Sequence, residues 1–457
     1  MPKQHQAVDM TQGDPLGLLV RFSLPLLAGN AFQQLYNMVD SWVVGNFVGT
    51  TALAAVGIGF PVIYLLSSLF MGLSVGGSVV IAQFMGAGDR EAVRRSVNTV
   101  YGAVMVSVVP LTLFGVLIAG PILHLIRVPA DVYDQAHVYL QVIFAGIIGS
   151  LGYNINAGIL QGLGDSKTPL LFLATACVVN IVLDLVFVLV FDWGVFGVAF
   201  ATIIAQLCSW IFGVCYVNRK YDFIAIRPLH VSVDNVLLKR VLKLGVPSGI
   251  QQCQFSVAIL VLQALINGFG AEFAAGFSAA NKVDTFAFMP VDSFCLAVTT
   301  YVGQNVGAGR LDRVREGVRK AILLCVGVCL VMSVLVVLNA ERLIMLFNTD
   351  PLVVASGRAY LLRVVSPMFL MAIMYPINNA LRGAGAAIVP MLSSVVALWA
   401  ARVPAAYLLA HFFGPEELYW SYSIGWVLGV IISGTVYLRG RWKERCVVHV
   451  RDMEAIL

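Results

Sequence analysis

Apolar runs of twenty residues and more recur along the whole chain, separated by short polar clusters such as "AGDREAVRR" (87–95). Crossing the hydrocarbon of a bilayer takes about 20 apolar residues in a helix. The pattern therefore predicts twelve spans, near 18–45, 52–84, 92–119, 132–162, 168–191, 195–217, 238–269, 273–306, 314–339, 353–382, 387–412 and 417–438. Long runs without strict alternation exclude a β-barrel, so the expected fold is an all-α integral membrane protein. Spans one, two, seven and eight carry Gly, Asn, Gln and Ser, as helices that face a cavity or other helices do.

A repeat organises these spans. "AQFMGAGDREAVRRSV" (82–97) matches "GQNVGAGRLDRVREGV" (303–318), and "LQGLGDSKTP" (160–169) matches "LRGAGAAIVP" (381–390), both displaced by 221 residues. Leu24-Pro25 and Val246-Pro247 agree within one residue of that displacement. Two matches at one offset indicate duplication. Each half holds an even number of spans, so the halves run parallel, related by a pseudo-twofold along the membrane normal, as in transporters. The implied division is a tail (1–17), an N-lobe (18–217), a linker (218–237), a C-lobe (238–438) and a second tail (439–457).

Composition agrees: 59% of residues are hydrophobic and 12% charged, with mean hydropathy +0.88. Arg and Lys gather after spans two, six, eight and twelve, and the opposite loops hold few. The positive-inside rule then places the linker and both termini in the cytoplasm and the chain, multi-pass, in a plasma membrane, expected to be a prokaryotic inner membrane. The net charge of +5 follows these loops and implies no nucleic acid partner. The first 17 residues lack a cleavable-signal layout. Seven of the eight cysteines lie in apolar segments without metal-ligand spacing, so neither disulfides nor a metal centre is expected.

Acids inside the spans are few: Asp40, Asp184, Asp284 and Asp292. Even lenient scales charge about 2.5–3.5 kcal/mol for one at mid-bilayer. Asn30, Gln33, Asn37 and Asp40 line one face of span one, opposite Leu26, Phe32, Leu35 and Val39. Helical rise puts Asp40 roughly 9 Å, Asp184 roughly 13 Å and Thr202 roughly 12 Å below one surface. Asn180 stands one turn from Asp184. Two carboxylates, an amide oxygen and a hydroxyl at matched depth suit a hard monovalent cation, or a proton shared between carboxylates. Further polar candidates for a cavity or substrate surface are Gln33, Gln34, Asn37, Asn154, Lys282, Asp284 and Asp292. Lys282 serves either an ion pair or a cavity, and Arg402 offers a partner charge. Met368, Met371 and Met374 recur every three residues in span ten, which suits a surface for varied apolar shapes or a bundle core. Pro25 and Pro247 are candidate bending points.

"MVDSWVVGNFVGTTALAAVG" (38–57), "GILQGLGDSKTP" (158–169), "NKVDTFAFMP" (281–290), "VGQNVGAG" (302–309) and the two six-span halves together resemble multidrug and toxic compound extrusion (MATE) transporters over nearly the full length. The resemblance implies two six-helix lobes forming a V and export of lipophilic, often cationic small molecules in exchange for Na⁺ or H⁺. It implies no cofactor and no need of a partner beyond the bilayer, a monomer sufficing. In one branch of the family the cation site matches Asp40, Asn180, Asp184 and Thr202. A second branch uses acids in spans seven and ten, where this chain has none. The related lipid-linked saccharide flippases need several inward Arg or Lys, for which Lys282 and Arg402 are the candidates. "NIVLD" (180–184) lacks the repeated acidic clusters of membrane prenyltransferases, and no Walker-type loop is present, which argues against an enzyme or an ATP-driven pump.

Overall fold

The computed structural model describes residues 8–228 and 232–446, so the outer parts of both tails and three linker residues lie outside the description. The described elements are all helical. The spans are α1 (Pro15–Val48), α2 (Thr50–Gly86), α3 (Arg90–Leu125), α4 (Ala130–Ala145 and Ile147–Gly162), α5 (Lys167–Val190), α6 (Gly194–Lys220), α7 (Asn235–Asn267), α8 (Ala271–Gly307), α9 (Leu311–Leu338), α10 (Pro351–Gly383), α11 (Ile388–Phe413) and α12 (Pro415–Arg439). Their outward faces are apolar and exposed. Val106, Val109, Leu113 and Leu117 form such a stripe on α3, a surface that suits lipid and not water.

One expected span is not straight. The run 132–162 breaks by 51° at Gly146. A Cβ there would lie 2.4 Å from Ile203, so the bend brings α4 onto α6 where only glycine fits. Four spans also contain π-helical turns: Val44–Val48, Val186–Val190, Leu361–Val365 and Val396–Arg402.

The duplication reappears in the backbone. Gly49 and Gly270, Gly88 and Gly309, and Gly164 and Gly385 all adopt positive φ at the 221-residue displacement, a region other residues enter at a steric cost. Gly162 packs against the Ser78 carbonyl and its counterpart Gly383 against the Thr299 carbonyl, where a Cβ would sit at 2.7 and 2.5 Å. Neighbour relations repeat as well: α2 touches α3 and α4, α4 touches α6 and α5 touches α6; α8 touches α9 and α10, α10 touches α12 and α11 touches α12.

Contacts divide the described chain into two units, one of Leu24–Gly249 with Val8 and the other of Asp9–Ser23 with Ile250 onwards. Two helices are thus shared. α1 changes unit beside Pro25, and α7 changes unit two residues after Pro247. The first turns of α7 lie on α2 through glycines: a Cβ on Gly72 would meet the Gly245 carbonyl at 2.4 Å, and one on Gly76 the Val241 carbonyl at 2.5 Å. The turn that leads into α1 belongs to the second unit and is held by it. Gln304 accepts from the Met10 amide (3.0 Å), Asn305 donates to the Met10 carbonyl (2.9 Å), and Arg310 and Arg313 donate to Thr11 and Gly13 carbonyls (both 2.8 Å). Asp14 accepts from the Gly17 amide and pairs with Lys320 at 2.7 Å.

In the first unit the loop before α5 is centred on Asp165. Its carboxylate is 6% exposed and accepts from Lys220 (2.6 Å), the Thr168 hydroxyl (2.5 Å) and amide (3.1 Å), and Tyr221 (3.2 Å). Burial alone would push this carboxyl up, but Lys220 and Thr168 more than reverse it and hold it below the usual carboxylate range. Its stabilisation is therefore complete above the unfolded-state value and is lost as pH falls through the folded-state one. Asp165→Ala takes the carboxylate from the half-buried Lys220, which keeps the Thr168 hydroxyl, and is expected to cost about 1–3 kcal/mol. Thermal unfolding in detergent would show the loss at pH 7, with the gap from wild type narrowing below about pH 4.

Candidate cation or proton site

Asp40 sits on α1 just before its π-turn, and Asn180 and Asp184 precede the π-turn of α5. A π-turn inserts an extra residue and re-aims the side chains beside it. Asp40 is 3% exposed, and Asn180 and Asp184 are fully buried. The Asp40 and Asp184 carboxyls lie close enough to act directly on each other. Asn180 Nδ2 reaches the Thr202 hydroxyl at 3.4 Å, and Thr202 in turn donates to the Val198 carbonyl at 3.0 Å. Three helices thus bring the four residues together.

The chemistry lies in what is left over. Asp40 Oδ1, Asn180 Oδ1 and both Asp184 carboxyl oxygens are buried with no hydrogen-bond donor. A buried acceptor without a partner costs about 1–3 kcal/mol, more if charged. Four convergent oxygens without a donor form a set that a proton or a hard cation completes. An apolar cluster that includes Val44, Ala52, Val56, Val188 and Val198 packs around the loop-side ends of α1 and α5.

Two tyrosines that the sequence reading did not single out join the site. Tyr36, one turn before Asp40, lies 3.5 Å from the Thr202 hydroxyl. Tyr139 of α4 packs in the same apolar cluster and feels both carboxylates. The spacing of Tyr36 and Asp40, four residues on one helix, was an available signal.

The remaining candidates scatter. Gln33, Gln34 and Asn37 are half-buried on α1. Leu26 and Val39, expected on the opposite face, are packed inward, and Met38 and Trp42 join Phe32 and Leu35 on the exposed side. Asn154 donates to the Ser150 carbonyl of its own helix (2.8 Å). Lys282 is exposed, 5.3 Å over the Phe347 ring, and makes no ion pair among the described residues. Asp284 accepts from Tyr360 at 3.1 Å. Asp292 lies on the exposed side of α8. Met368, Met371 and Met374 are buried in the core of the second unit, the bundle-core alternative of the two that their spacing offered. Met374 fills the space a Cβ on Gly429 would need.

The second unit holds a different polar centre, which sequence reasoning missed. Arg382 donates to Gln251 (2.7 Å) and Asn379 (3.0 Å), Gln251 donates to Ser394 (2.7 Å), and Thr299 donates to Asn379 (3.0 Å). α7, α8, α10 and α11 are thereby tied together around one half-buried guanidinium. Its signal was present, since Arg382 replaces Gln161 in the repeat. Arg402 is 7% exposed and lies 3.3 Å over the Tyr422 ring. Arg382→Ala would take from the Gln251 side-chain oxygen its Arg382 donor, while Asn379 keeps Thr299. It is expected to lower the thermal midpoint in detergent by the equivalent of about 1–3 kcal/mol.

Comparison with known proteins agrees with this architecture. The family model described as MatE matches twice, over residues 25–186 and 247–408. The chain is similar to the probable multidrug resistance protein YpnP of Bacillus subtilis (29% identity over 96% of this chain and 98% of the relative). It is also similar to the probable multidrug resistance protein NorM of Thermotoga maritima (28%, covering 94% of each). The fold matches an outward-facing multidrug resistance MATE transporter of the MOP superfamily with TM-score 0.88 at 24% identity, covering 97% of this chain and 99% of that one. A MATE structure in the straight conformation matches with TM-score 0.87 at 25% identity over the same shares. The two family matches cover well over half of the sequence, one in each half of the duplication: the chain belongs to the MatE family of transporters.

Proposed function

We propose that this protein is a secondary active multidrug exporter that moves lipophilic, commonly cationic compounds outward in exchange for H⁺ or Na⁺, with coupling at Asp40, Asn180, Asp184 and Thr202. The observation that carries this reading is the group of four buried acceptor oxygens without a donor, on two helices of one unit, α1 and α5, beside Thr202 of a third. The basic loops and both termini face the cytoplasm, in keeping with positive-inside. The N-lobe (18–217) then carries the ion and a single chain suffices.

In the proposed cycle an ion enters from outside and neutralises the carboxylate pair. α1 shifts at Pro25, with α7 answering at Pro247, where each helix changes unit. Substrate affinity falls and the compound leaves outward; inward opening then releases the ion. Such exchange requires the ion to bind the two states with different affinity, because a ligand moves an equilibrium only by its differential binding. A saccharide flippase is not favoured: Arg382 is engaged with Gln251 and Asn379, and Arg402 with Tyr422.

The test is dye efflux from proteoliposomes with Na⁺ and pH gradients imposed one at a time. Efflux driven by either gradient is expected. Folded protein that responds to neither would overturn the proposal.

A further inference from the structure

We propose that a groove between α9 and the end of α12 binds the phosphate headgroup of an anionic phospholipid. The groove, about 440 Å³, is lined by Arg315 and Arg319 of α9, Leu438 and Tyr437 of α12, and Trp442 and Lys443 just beyond it. Three cations therefore converge on one small volume. None of them forms an ion pair or hydrogen bond with a side chain among the described residues, although nearby Lys320 pairs with Asp14 and Glu316. The repeat supplies a comparison within the chain. Arg94, the counterpart of Arg315, turns back on Glu91 at 2.7 Å, whereas Arg315 forms no such pair with the equivalent Asp312.

The floor is built rather than open. Trp442 stacks on Tyr437 with ring centroids 5.5 Å apart, and its indole donates to the Tyr437 carbonyl at 3.0 Å. The Tyr437 hydroxyl is buried with no partner, within reach of the Arg315 charge. An anionic oxygen among these groups would accept from the phenol and from both guanidinium forks, the geometry arginine offers to phosphate. The other end of the groove is apolar, and Leu323 and Leu438 beside it are 63% and 84% exposed. A ligand with a phosphate at one end and hydrocarbon at the other fits both ends. A free phosphate fits only the first. Basic pockets between helices on the cytoplasmic side are where such headgroups bind, and this inference needs the helices to span a bilayer but does not depend on ion coupling.

The experiment uses the tryptophan already in the groove. The full chain in neutral detergent micelles is titrated with phosphatidylglycerol brominated on its acyl chains, and separately with brominated phosphatidylcholine. The Trp442 signal is taken as the difference between wild type and Trp442→Phe. Quenching by the anionic lipid at markedly lower concentration is expected, reversed by unlabelled phosphatidylglycerol and not by millimolar inorganic phosphate. Replacing Arg315, Arg319 and Lys443 by Gln together should weaken it about a hundred-fold, at about five-fold per cation. Equal quenching by both lipids would mean an ordinary annular lipid and overturn the proposal. Displacement by inorganic phosphate would mean a free-anion site and overturn it as well. The competition arm needs no variant at the cationic positions, so the outcome does not hinge on the folding of the triple variant.

Discussion

Asp40→Asn protein is expected to fold, to bind a lipophilic cationic dye, and to lose at least about ten-fold in gradient-driven efflux. Asparagine keeps the shape of the side chain. What it removes is the ability to take up and release a proton, or to balance the charge of a bound Na⁺. The remaining Asp184 carboxyl then has no second carboxylate with which to share a proton or hold a cation, and the ion discriminates less between the two states. Coupling free energies of 1–3 kcal/mol correspond to roughly 5–150-fold, so a ten-fold loss lies within what the pair can supply. Asp184→Asn should behave alike. The double variant should be little worse than either single one, because residues that act as one unit are not additive. Asn154→Ala is the control: its amide bonds only within its own helix, and efflux should stay near wild type. Efflux rates in proteoliposomes, with dye binding measured alongside, check all four.

The largest structural effect is expected at Gly72. Valine there places a Cβ 2.4 Å from the Gly245 carbonyl oxygen and 2.5 Å from the Gly249 nitrogen. Both are backbone atoms and cannot rotate aside. Overpacking typically costs about 1–3 kcal/mol and occasionally more, and a backbone-to-backbone clash belongs at the upper end. A fall of about 3 °C in the thermal midpoint in detergent is expected, together with poor recovery of monodisperse protein. Gly57→Ala, where a Cβ meets nothing within 4 Å, should leave the midpoint unchanged. Because the clash falls where α7 leaves one unit for the other, transport should be lost in whatever Gly72→Val protein does fold.

The spans and the duplication were legible because both are written in the order of residues. Runs long enough to cross a bilayer stand out in hydropathy, and the Gly-Ala-Gly turn recurs with its positive φ because few other residues enter that region. The matched depth of Asp40, Asp184 and Thr202 followed from helical rise alone. What hydropathy cannot report is which neighbour takes up a given face. Leu26 and Val39 were therefore placed on the wrong side of α1, and the spacing of three methionines buried in a core suited a surface equally. The break at Gly146 depends on Ile203, fifty-seven positions away, and nothing local marks it. The clasp of residues 9–14 on Gln304, Asn305 and their neighbours is likewise a long-range match of backbone groups to side chains. Arg382 replaces Gln161 of the first repeat, and the repeat alone does not say which side chains a new charge meets.

The central claim is that occupation of the carboxylate pair and binding of substrate oppose one another. Linkage makes that opposition reciprocal, so a substrate must expel the ion by the same factor by which the ion weakens the substrate. The most direct measurement adds a lipophilic cationic substrate to purified protein, following pH in weakly buffered, Na⁺-free solution and ²²Na⁺ occupancy in a parallel sample. Wild type is expected to release protons or Na⁺ on substrate addition, and protein carrying both Asp40→Asn and Asp184→Asn to release neither. Equal release from the two proteins, or substrate binding by wild type with no release of either ion, would contradict the account.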